Sequence, residues 1–188
     1  NMNKALICKE GVSVKKILFV ASEAVPFIKT GGLADVVGAL PKCFDKNEYD
    51  VRVIIPKYLC MKEEYKNQLQ YVTHFYMDIG YRREYVGIMQ LVHEGIQYYF
   101  IDNEYYFSGY QPYGDIRFDI EKFVFFSKAA LSILPVIDFR PDLIHCHDWQ
   151  TGLIPVYLKD SFQGGSFYQG IKTVMTLSLI HISEPTRH

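Results

Sequence analysis

The sequence lacks any strong bias of charge. Its 188 residues contain 20 Lys and Arg against 21 Asp and Glu, and no long basic run occurs. A general surface for nucleic acid or for an anionic membrane needs clustered cations. We therefore expect neither kind of partner, although a local anion site would need only one or two cations and some backbone amides.

Cysteines are also few and irregularly spaced. The four are Cys8, Cys43, Cys60 and Cys146, and no CxxC pair occurs among them. This spacing argues against a disulfide framework and a zinc ribbon, and it favours reduced thiols. No apolar run approaches the roughly 20 residues that span a bilayer. The first residues lack the cationic and apolar pattern of a secretion signal, so we expect a cytoplasmic protein.

Apolar residues make up 49% of the chain, and they fall in short strand-like runs between helical patterns. Residues 16–56 give a strand, a glycine loop, an amphipathic helix and a second strand, which is a βαβ unit. Segments rich in Tyr, Val and Ile predict three further strands, with a hairpin turn at residues 93–95 between the last two. These strands are predicted at residues 71–79, 84–91 and 97–101.

The second half of the chain continues this alternation. Asp119 is predicted to cap a helix over residues 120–134. A strand at 143–146, a helix at 150–159 and a strand at 172–175 follow. The sequence therefore predicts an α/β fold, with a Rossmann-like, mostly parallel sheet that carries helices on both faces.

The domain organisation predicted from these patterns has three parts. Residues 15–176 form one Rossmann-like domain, and residues 1–14 are an extension of unclear status. Residues 177–188 read LSLIHISEPTRH, which looks like the translation of a sequencing adapter. We therefore interpret them as a non-native tail without a functional role, the alternative being a native tail.

The first candidate site is the segment KTGGLAD at residues 29–35. It lies where the first strand gives way to its helix, at the edge where open α/β sheets bind ligands. Gly31 and Gly32 let backbone amides approach an anion, the helix start adds unpaired donors, and Lys29 supplies a mobile charge. These features suit a diphosphate. A plain tight turn with a surface lysine explains the local pattern equally well.

The second candidate site is the segment HCHDWQTG at residues 145–152, at the end of the third buried strand. Both segments lie at the carboxyl edge of a parallel sheet, so they can converge. His145 and His147 share one face and Cys146 points away, which makes a poor zinc site, and we predict no metal. His145 is expected to lie deeper in the strand as the structural member. His147 at the strand exit is better placed for a ligand.

Two weaker candidates follow the strand at residues 97–101. The Asp-Asn-Glu sequence at 102–104 could line the same cleft, although a turn explains it equally well. A group of aromatic residues could stack against sugar rings, or it could be a satellite of the core. The group consists of Tyr105, Tyr106, Phe107 and Tyr113.

Taken together, these segments resemble the glycogen synthases and bacterial starch synthases. The resemblance runs from about Lys15 to Thr176. It is carried by KILFVASE at 16–23, KTGGLADVVGALP at 29–41, FVFFSKAAL at 123–131 and RPDLIHCHDWQTGL at 140–153. The second string, and HCHDWQTGL within the last, are specific to this family.

The resemblance implies a glycosyltransferase that adds glucose from ADP-glucose to the non-reducing end of an α-1,4-glucan such as glycogen. It implies retention of the anomeric configuration, no metal and no cofactor. The implied fold is the amino-terminal half of a GT-B glycosyltransferase, with the reaction in the cleft between two Rossmann-like domains.

The resemblance also assigns roles to residues. Lys29 matches a lysine that helps bind the nucleotide sugar, and His147, the catalytic candidate, matches a histidine close to the transferred glucose. Gly31 and Gly32 would lie against the diphosphate, with Asp35 shaping the loop. The other substrate-binding residues implied are Asp148, Trp149 and Gln150.

Two departures from the family pattern limit these implications. The family's second domain is missing, and the tail replaces a His-Asn loop that follows the strand ending at Thr176. Residues 108–118 are also less family-like than their surroundings. We therefore expect the 188-residue chain itself to be inactive. The alternatives are a GT-B enzyme that uses another nucleotide sugar, and a glucan-binding module without catalysis.

Overall fold

A computed structural model of the chain describes residues 14–178. The strands are β1 (Lys15–Val20), β2 (Tyr49–Pro56), β3 (Gln70–Ile79), β4 (Arg82–His93), β5 (Ile96–Asp102), β6 (Leu143–His147) and β7 (Lys172–Thr176). The helices are α1 (Gly32–Ala39), α2 (Glu63–Lys66), α3 (Glu104–Phe107), α4 (Ile116–Ser132) and α5 (Ile154–Asp160). Short 3-10 turns follow α1, follow β6 and precede β7. The predicted extension and tail lie almost wholly outside the described residues.

The strands form one sheet in the order β3-β4-β5-β2-β1-β6-β7. The five neighbouring strands β5, β2, β1, β6 and β7 pair in parallel. The strands β3 and β4 form an antiparallel hairpin, and β4 pairs antiparallel with β5. The prediction of a mostly parallel sheet with helices is confirmed. Leu18, Phe19 and Val20 at the centre of the sheet are 0% exposed, because layers of chain cover both faces.

The order of the strands reverses at the centre of the sheet. From β1 the chain passes through α1 to β2, which lies towards the β3 edge of the sheet. From β5 it passes through α4 in the opposite direction, across β2 and β1, to reach β6. Right-handed crossovers in opposite directions place α1 on one face, and α4 and α5 on the other. In agreement, α4 packs against α5. The carboxyl ends of β1 and β6 therefore flank a topological switch point, where open α/β sheets form a ligand crevice.

Two predicted helix starts were wrong. Asp115, not Asp119, caps α4, because its Oδ1 accepts hydrogen bonds from the backbone N–H of Arg117 at 3.0 Å and of Phe118 at 3.1 Å. Phe118 lies in the additional helical turn, where its ring packs against those of Tyr105 and Tyr106. This tertiary contact stabilises the turn, and a local sequence pattern does not contain it.

The helix predicted at residues 150–159 starts later, at Ile154, after the 3-10 turn Trp149–Thr151. Pro155 explains this start, because proline is accepted in the first turn of a helix but not in its interior. Between residues 14 and 178, no helix combines the length and apolar character that crossing a membrane would require.

The two aspartates of α4 should differ in their effect on stability. Asp115→Ala should lower the free energy of unfolding by about 1 kcal/mol, the usual cost of losing an N-cap. Asp119→Ala should cost about 3 kcal/mol or more, because Asp119 is 4% exposed and accepts a 2.6 Å hydrogen bond from the buried ammonium of Lys122. Urea unfolding followed by circular dichroism measures both, and a larger loss for Asp115→Ala would contradict the assignment.

Candidate functional site

The pairing of β1 with β6 brings the two candidate segments to one place. Val20, the last residue of β1, lies opposite Cys146, so the chain leaves β1 beside His147. The loop after β1 leads to Lys29 and to the start of α1, and His147 ends β6. The candidate site is therefore a crevice at the carboxyl edge of the sheet, with one wall from each segment.

The loop after β1 is held at both of its ends. The carboxylate of Glu23, which is 3% exposed, accepts hydrogen bonds from the backbone N–H and from the hydroxyl of Thr30. The backbone N–H of Val25 donates to the carbonyl of Ala34 in α1 at 3.0 Å. A side chain at Gly38 would collide with Val25, so this glycine allows the loop to pack directly on the helix. These contacts hold residues 29–32 at the sheet edge.

The two glycines at the start of α1 face open space. Gly31 has extended backbone angles (φ −152°, ψ −165°), so it does not need to be glycine for conformational reasons. A Cβ at Gly31 or at Gly32 would have no atom within 4 Å. Among residues 14–178, no side chain caps the amides of the first turn of α1. The helix start therefore combines free donors with a positive partial charge and room for a bulky anion.

Lys29 lies next to these amides. Its Nζ donates to Asp35 at 2.8 Å, and the two side chains are 53% and 55% exposed. An ion pair this exposed contributes about 0–1 kcal/mol. The Lys29 ammonium can therefore leave Asp35 and bind an anionic ligand at little cost in free energy. Without a ligand, Asp35 keeps the ammonium beside the start of α1.

His147 is the buried member of the site. It is 1% exposed, its ring stacks on Phe19 with 5.6 Å between centroids, and the ring of His145 lies 4.1 Å away. Burial, with a smaller contribution from His145, lowers the pKa of His147 to about 4. Its Nε2 has no hydrogen-bond partner among the described residues. At neutral pH the ring is uncharged, so it keeps unused hydrogen-bonding capacity but cannot supply a positive charge.

The expected depth of the two histidines was wrong. His145 is only half-buried and its Nε2 lies 2.7 Å from the hydroxyl of Thr176, whereas His147 is enclosed. His145 pairs with Val174 of the edge strand β7, and Val174 is 45% exposed. The face beside His145 is thus open, which a count of positions along β6 does not reveal.

The residue after His147 holds a strained backbone conformation. Asp148 has φ 59° and ψ 179°, a region that glycine alone adopts easily, at a cost of about 1–3 kcal/mol. Two contacts hold it there: its N–H donates to the carbonyl of Thr176 at 2.9 Å, and the hydroxyl of Thr151 donates to its carbonyl at 3.1 Å. The strain turns the chain sharply away from the strand at the crevice.

The next two residues have different surroundings. Trp149 is 48% exposed and its ring packs edge-on against Phe123 at 5.3 Å. Gln150 is 7% exposed, and its side-chain oxygen has no partner in the described part of the chain. Buried polar atoms normally have partners, so His147 and Gln150 both carry hydrogen-bonding capacity that the protein does not use.

Two residues that shape this site, Ser22 and Glu23, were not predicted from the sequence, whereas Tyr113 was named there as a possible aromatic surface. Besides Glu23, the hydroxyl of Ser22 lies 2.7 Å from that of Tyr113 and so ties the end of β1 to the loop before α4. Lys29 and Tyr113 line the same cleft of about 330 Å³. Ser22 and Glu23 are polar residues directly after a buried strand at the carboxyl edge, and that position was the signal available in the sequence.

The weaker candidates have mixed outcomes. Tyr106 and Phe107 are each 2% exposed and belong to the core, whereas Tyr105 is 59% exposed. Asn103 caps α3 by accepting from the backbone N–H of Tyr106, and Asp102 accepts from Lys57 at 3.0 Å. Within residues 14–178, no three His, Cys, Asp or Glu side chains form a group that could hold a metal ion.

Comparison with known proteins identifies the family. The family model of the starch synthase catalytic domain matches residues 16–181. The chain belongs to this family. It is 63% identical over 164 residues to a glycogen synthase of Lachnoclostridium phytofermentans and 64% identical over the same length to one of Lachnospira eligens. Each match covers 87% of this chain and 34% of the relative, so the chain spans about a third of the length of these glycogen synthases.

The fold comparison agrees with the sequence family. The catalytic domain of starch synthase IV from Arabidopsis thaliana, bound to ADP and acarbose, superimposes with a TM-score of 0.77 at 30% identity. The match covers 88% of this chain and 34% of that chain. The predicted resemblance to glycogen and starch synthases and the predicted GT-B glycosyltransferase class of fold are confirmed.

The low pKa of His147 should make stability depend on pH. The folded state resists protonation down to about pH 4, whereas the unfolded chain takes up the proton from about pH 6.5 downward. Falling pH therefore favours unfolding, and stability should fall by about 1 kcal/mol per pH unit between these values. Urea unfolding at pH 7.5, 6.0 and 5.0 measures this slope.

Two variants isolate the contribution of His147 to this slope. His147→Phe should reduce the slope, whereas Val37→Ala, which removes buried methyl groups and no titratable group, should lower stability equally at each pH. An equal slope in the wild type and in His147→Phe would refute the assignment.

Proposed function

We propose that the chain is the amino-terminal Rossmann-like domain, residues 15–176, of a glycogen synthase. The full-length protein would transfer glucose from ADP-glucose to the non-reducing end of an α-1,4-glucan with retention of configuration. The observation that carries the proposal is the open, uncapped start of α1 beside Lys29, next to the buried and neutral His147 at the switch point of the sheet. The likeness to a starch synthase domain bound to ADP and acarbose supports the choice of substrates.

The start of α1 suits the diphosphate of a nucleotide sugar. Charge builds up on the diphosphate as the bond to glucose breaks, and fixed amides with a nearby cation stabilise this charge without reorganisation. Gly31 and Gly32 leave room for the phosphate oxygens, and Lys29 can turn from Asp35 to the ligand. No metal ion and no cofactor are needed in this scheme.

His147 suits contact with the transferred glucose. Its uncharged ring offers Nε2 at the end of β6, without a competing partner among the described residues. A neutral imidazole can donate a hydrogen bond to a sugar hydroxyl, or accept one, without the desolvation cost of a buried charge. The strained turn at Asp148, with Trp149 and Gln150 behind it, would hold this ring in position.

The domain boundaries follow from the same proposal. We keep residues 1–14 as an extension and residues 177–188 as a non-native tail, and we place the parent protein in the cytoplasm. Cys43, Cys60 and Cys146 are free thiols, as expected there. The described residues supply the crevice at the sheet edge, and a second domain would close over it to complete the active site. On this basis the 188-residue chain alone should not elongate glucan.

Transfer assays on the full-length protein test the proposal. With ADP-glucose and glycogen, Lys29→Ala and His147→Ala should each lower kcat/KM by roughly a hundredfold, the scale of a lost transition-state contact. Lys159→Ala, which removes an exposed lysine at the end of α5, should have no effect. Incorporation of radioactive glucose into glycogen is the measurement.

Three outcomes of these assays would contradict the proposal. If no nucleotide sugar supports elongation, the proposed reaction is wrong. If UDP-glucose is strongly preferred, the donor is wrong. Sustained elongation by the 188-residue chain alone would show that the second domain is not required.

The glycines give an independent test of the diphosphate site. Gly32→Ala should leave the free energy of unfolding unchanged within about 1 kcal/mol, because the added methyl group meets no protein atom and alanine favours the helix. The KM for ADP-glucose should nevertheless rise about tenfold, on the scale of one lost ligand contact.

The matched control is Gly164→Ala, which also adds a methyl group in open space but lies in the loop before β7, away from the crevice. Thermal denaturation and steady-state kinetics provide the two readouts. An unchanged KM in Gly32→Ala would place the diphosphate elsewhere.

A further inference from the structure

Tyr113 lies in a loop that borders a cleft on each side. The loop, residues 108–115, joins α3 to α4. On one side, Tyr113 lines the cleft of about 330 Å³ that also contains Lys29. On the other side, a cleft of about 300 Å³ lies among the loop, Tyr58 and the start of α4. Because the loop borders clefts on both sides, close packing gives Tyr113 little of the support that a core residue has.

A buried ion pair of α4 holds the loop on either side of Tyr113. The ammonium of Lys122 donates to the carbonyl of Pro112 at 2.5 Å and to the carboxylate of Asp119 at 2.6 Å. The other carboxylate oxygen of Asp119 accepts from the backbone N–H of Gly114 at 2.8 Å. The pair therefore binds the residue before Tyr113 and the residue after it, and their backbone positions determine where the tyrosine side chain begins.

The tyrosine side chain is also held at its far end. The Tyr113 hydroxyl lies 2.7 Å from that of Ser22, just after β1, and burial raises the pKa of Tyr113 to about 12. The phenol is therefore uncharged at neutral pH and keeps its hydrogen bond with Ser22. Its ring packs against that of Phe123 in α4, with 6.0 Å between centroids. Tyr113 thus spans from α4 to the sheet edge, in the wall of the cleft that contains Lys29.

The energetics of the pair indicate more than a stabilising role. The side chains of Asp119 and Lys122 are each 5% exposed, so both charges have lost almost all of their hydration. Attraction between buried charges roughly offsets this desolvation, and apolar residues of similar volume often give equal or greater stability. Apolar residues could not, however, supply the two hydrogen bonds to the loop backbone. Stability alone therefore does not explain why these two residues are charged.

We propose that Asp119 and Lys122 are positioning residues, which hold Tyr113 in the wall of the donor crevice without touching the substrate. This inference rests on the proposed function, since the crevice is the ADP-glucose site of that reaction. Without the pair, the loop would lose two backbone hydrogen bonds, and Tyr113 would no longer be fixed beside Lys29. The donor should then bind more weakly, while the transfer step of a correctly bound donor stays the same.

The test uses the full-length protein with the double variant Asp119→Leu/Lys122→Met. Removing both charges avoids the unpaired buried charge that either single variant would leave. The KM for ADP-glucose should rise about tenfold, on the scale of one lost contact, while kcat and the KM for glycogen stay unchanged. Hydrogen exchange followed by mass spectrometry should be faster in the loop, because the N–H of Gly114 loses its acceptor. Lys122→Arg keeps the donors and should keep the wild-type KM.

Two controls separate positioning from a purely structural role. Glu121→Ala also removes an ion pair of α4, but its partners Arg82 and Tyr106 lie outside the loop, so neither the KM for ADP-glucose nor loop exchange should change. The double variant is also combined with Tyr113→Ala. Because the pair acts through Tyr113, its removal should have no further effect on KM in that background, whereas independent effects would add.

Four outcomes would overturn the inference: unchanged loop exchange in the double variant, an unchanged KM for ADP-glucose, a raised KM in Glu121→Ala, or an additive loss in the Tyr113→Ala background. A lower kcat at unchanged KM belongs with the second outcome, because it indicates only a smaller folded fraction. Failure of the proposed function looks different, since the wild type would then not elongate glycogen from ADP-glucose. Loop exchange needs no turnover, so it decides even then whether the pair holds the loop.

Discussion

The parallel pairing of β1 with β6 is the constraint on which the candidate site depends. It places the loop that carries Lys29 beside the strand that ends in His147. A shift of one residue in this register would turn His147 to the opposite face of the sheet. The register is specified by β6, where Ile144 and Cys146 are 0% exposed on the face opposite His145 and His147, so a slip of one residue would move the two imidazoles into an apolar layer.

Buried polar groups divide into those that hold the fold and those left for a ligand. Glu23 and Asp119 have their hydrogen bonds satisfied by loop backbone and by neighbouring side chains, so their burial fixes the loops around the crevice. His147 and Gln150 retain polar atoms without a partner among the described residues. Because desolvating such atoms costs free energy, their position at the switch point argues for a role in binding.

Much of the fold could be predicted from the sequence, because strands buried on both faces appear as short continuous apolar runs. The start of α4 could not, because Asp115 and Asp119 are both plausible caps and the packing of Phe118 decides between them. Which of His145 and His147 is more buried depends on how exposed β7 is, and β7 is distant in sequence. The motifs located Lys29 and the glycines, whereas the role of Glu23 depends on how its loop folds back.

The antiparallel hairpin extends the edge of the sheet at which the candidate site lies. Because β4 runs against β5, the start of β4 lies at the same edge as the carboxyl ends of the parallel strands. Side chains from Arg83 and Tyr85 therefore join those that follow β5, and the edge continues past the last parallel strand. Without the hairpin, this edge would end at β5. The hairpin thus lengthens the carboxyl edge of the sheet, while Lys29 and His147 lie at the switch point between β1 and β6.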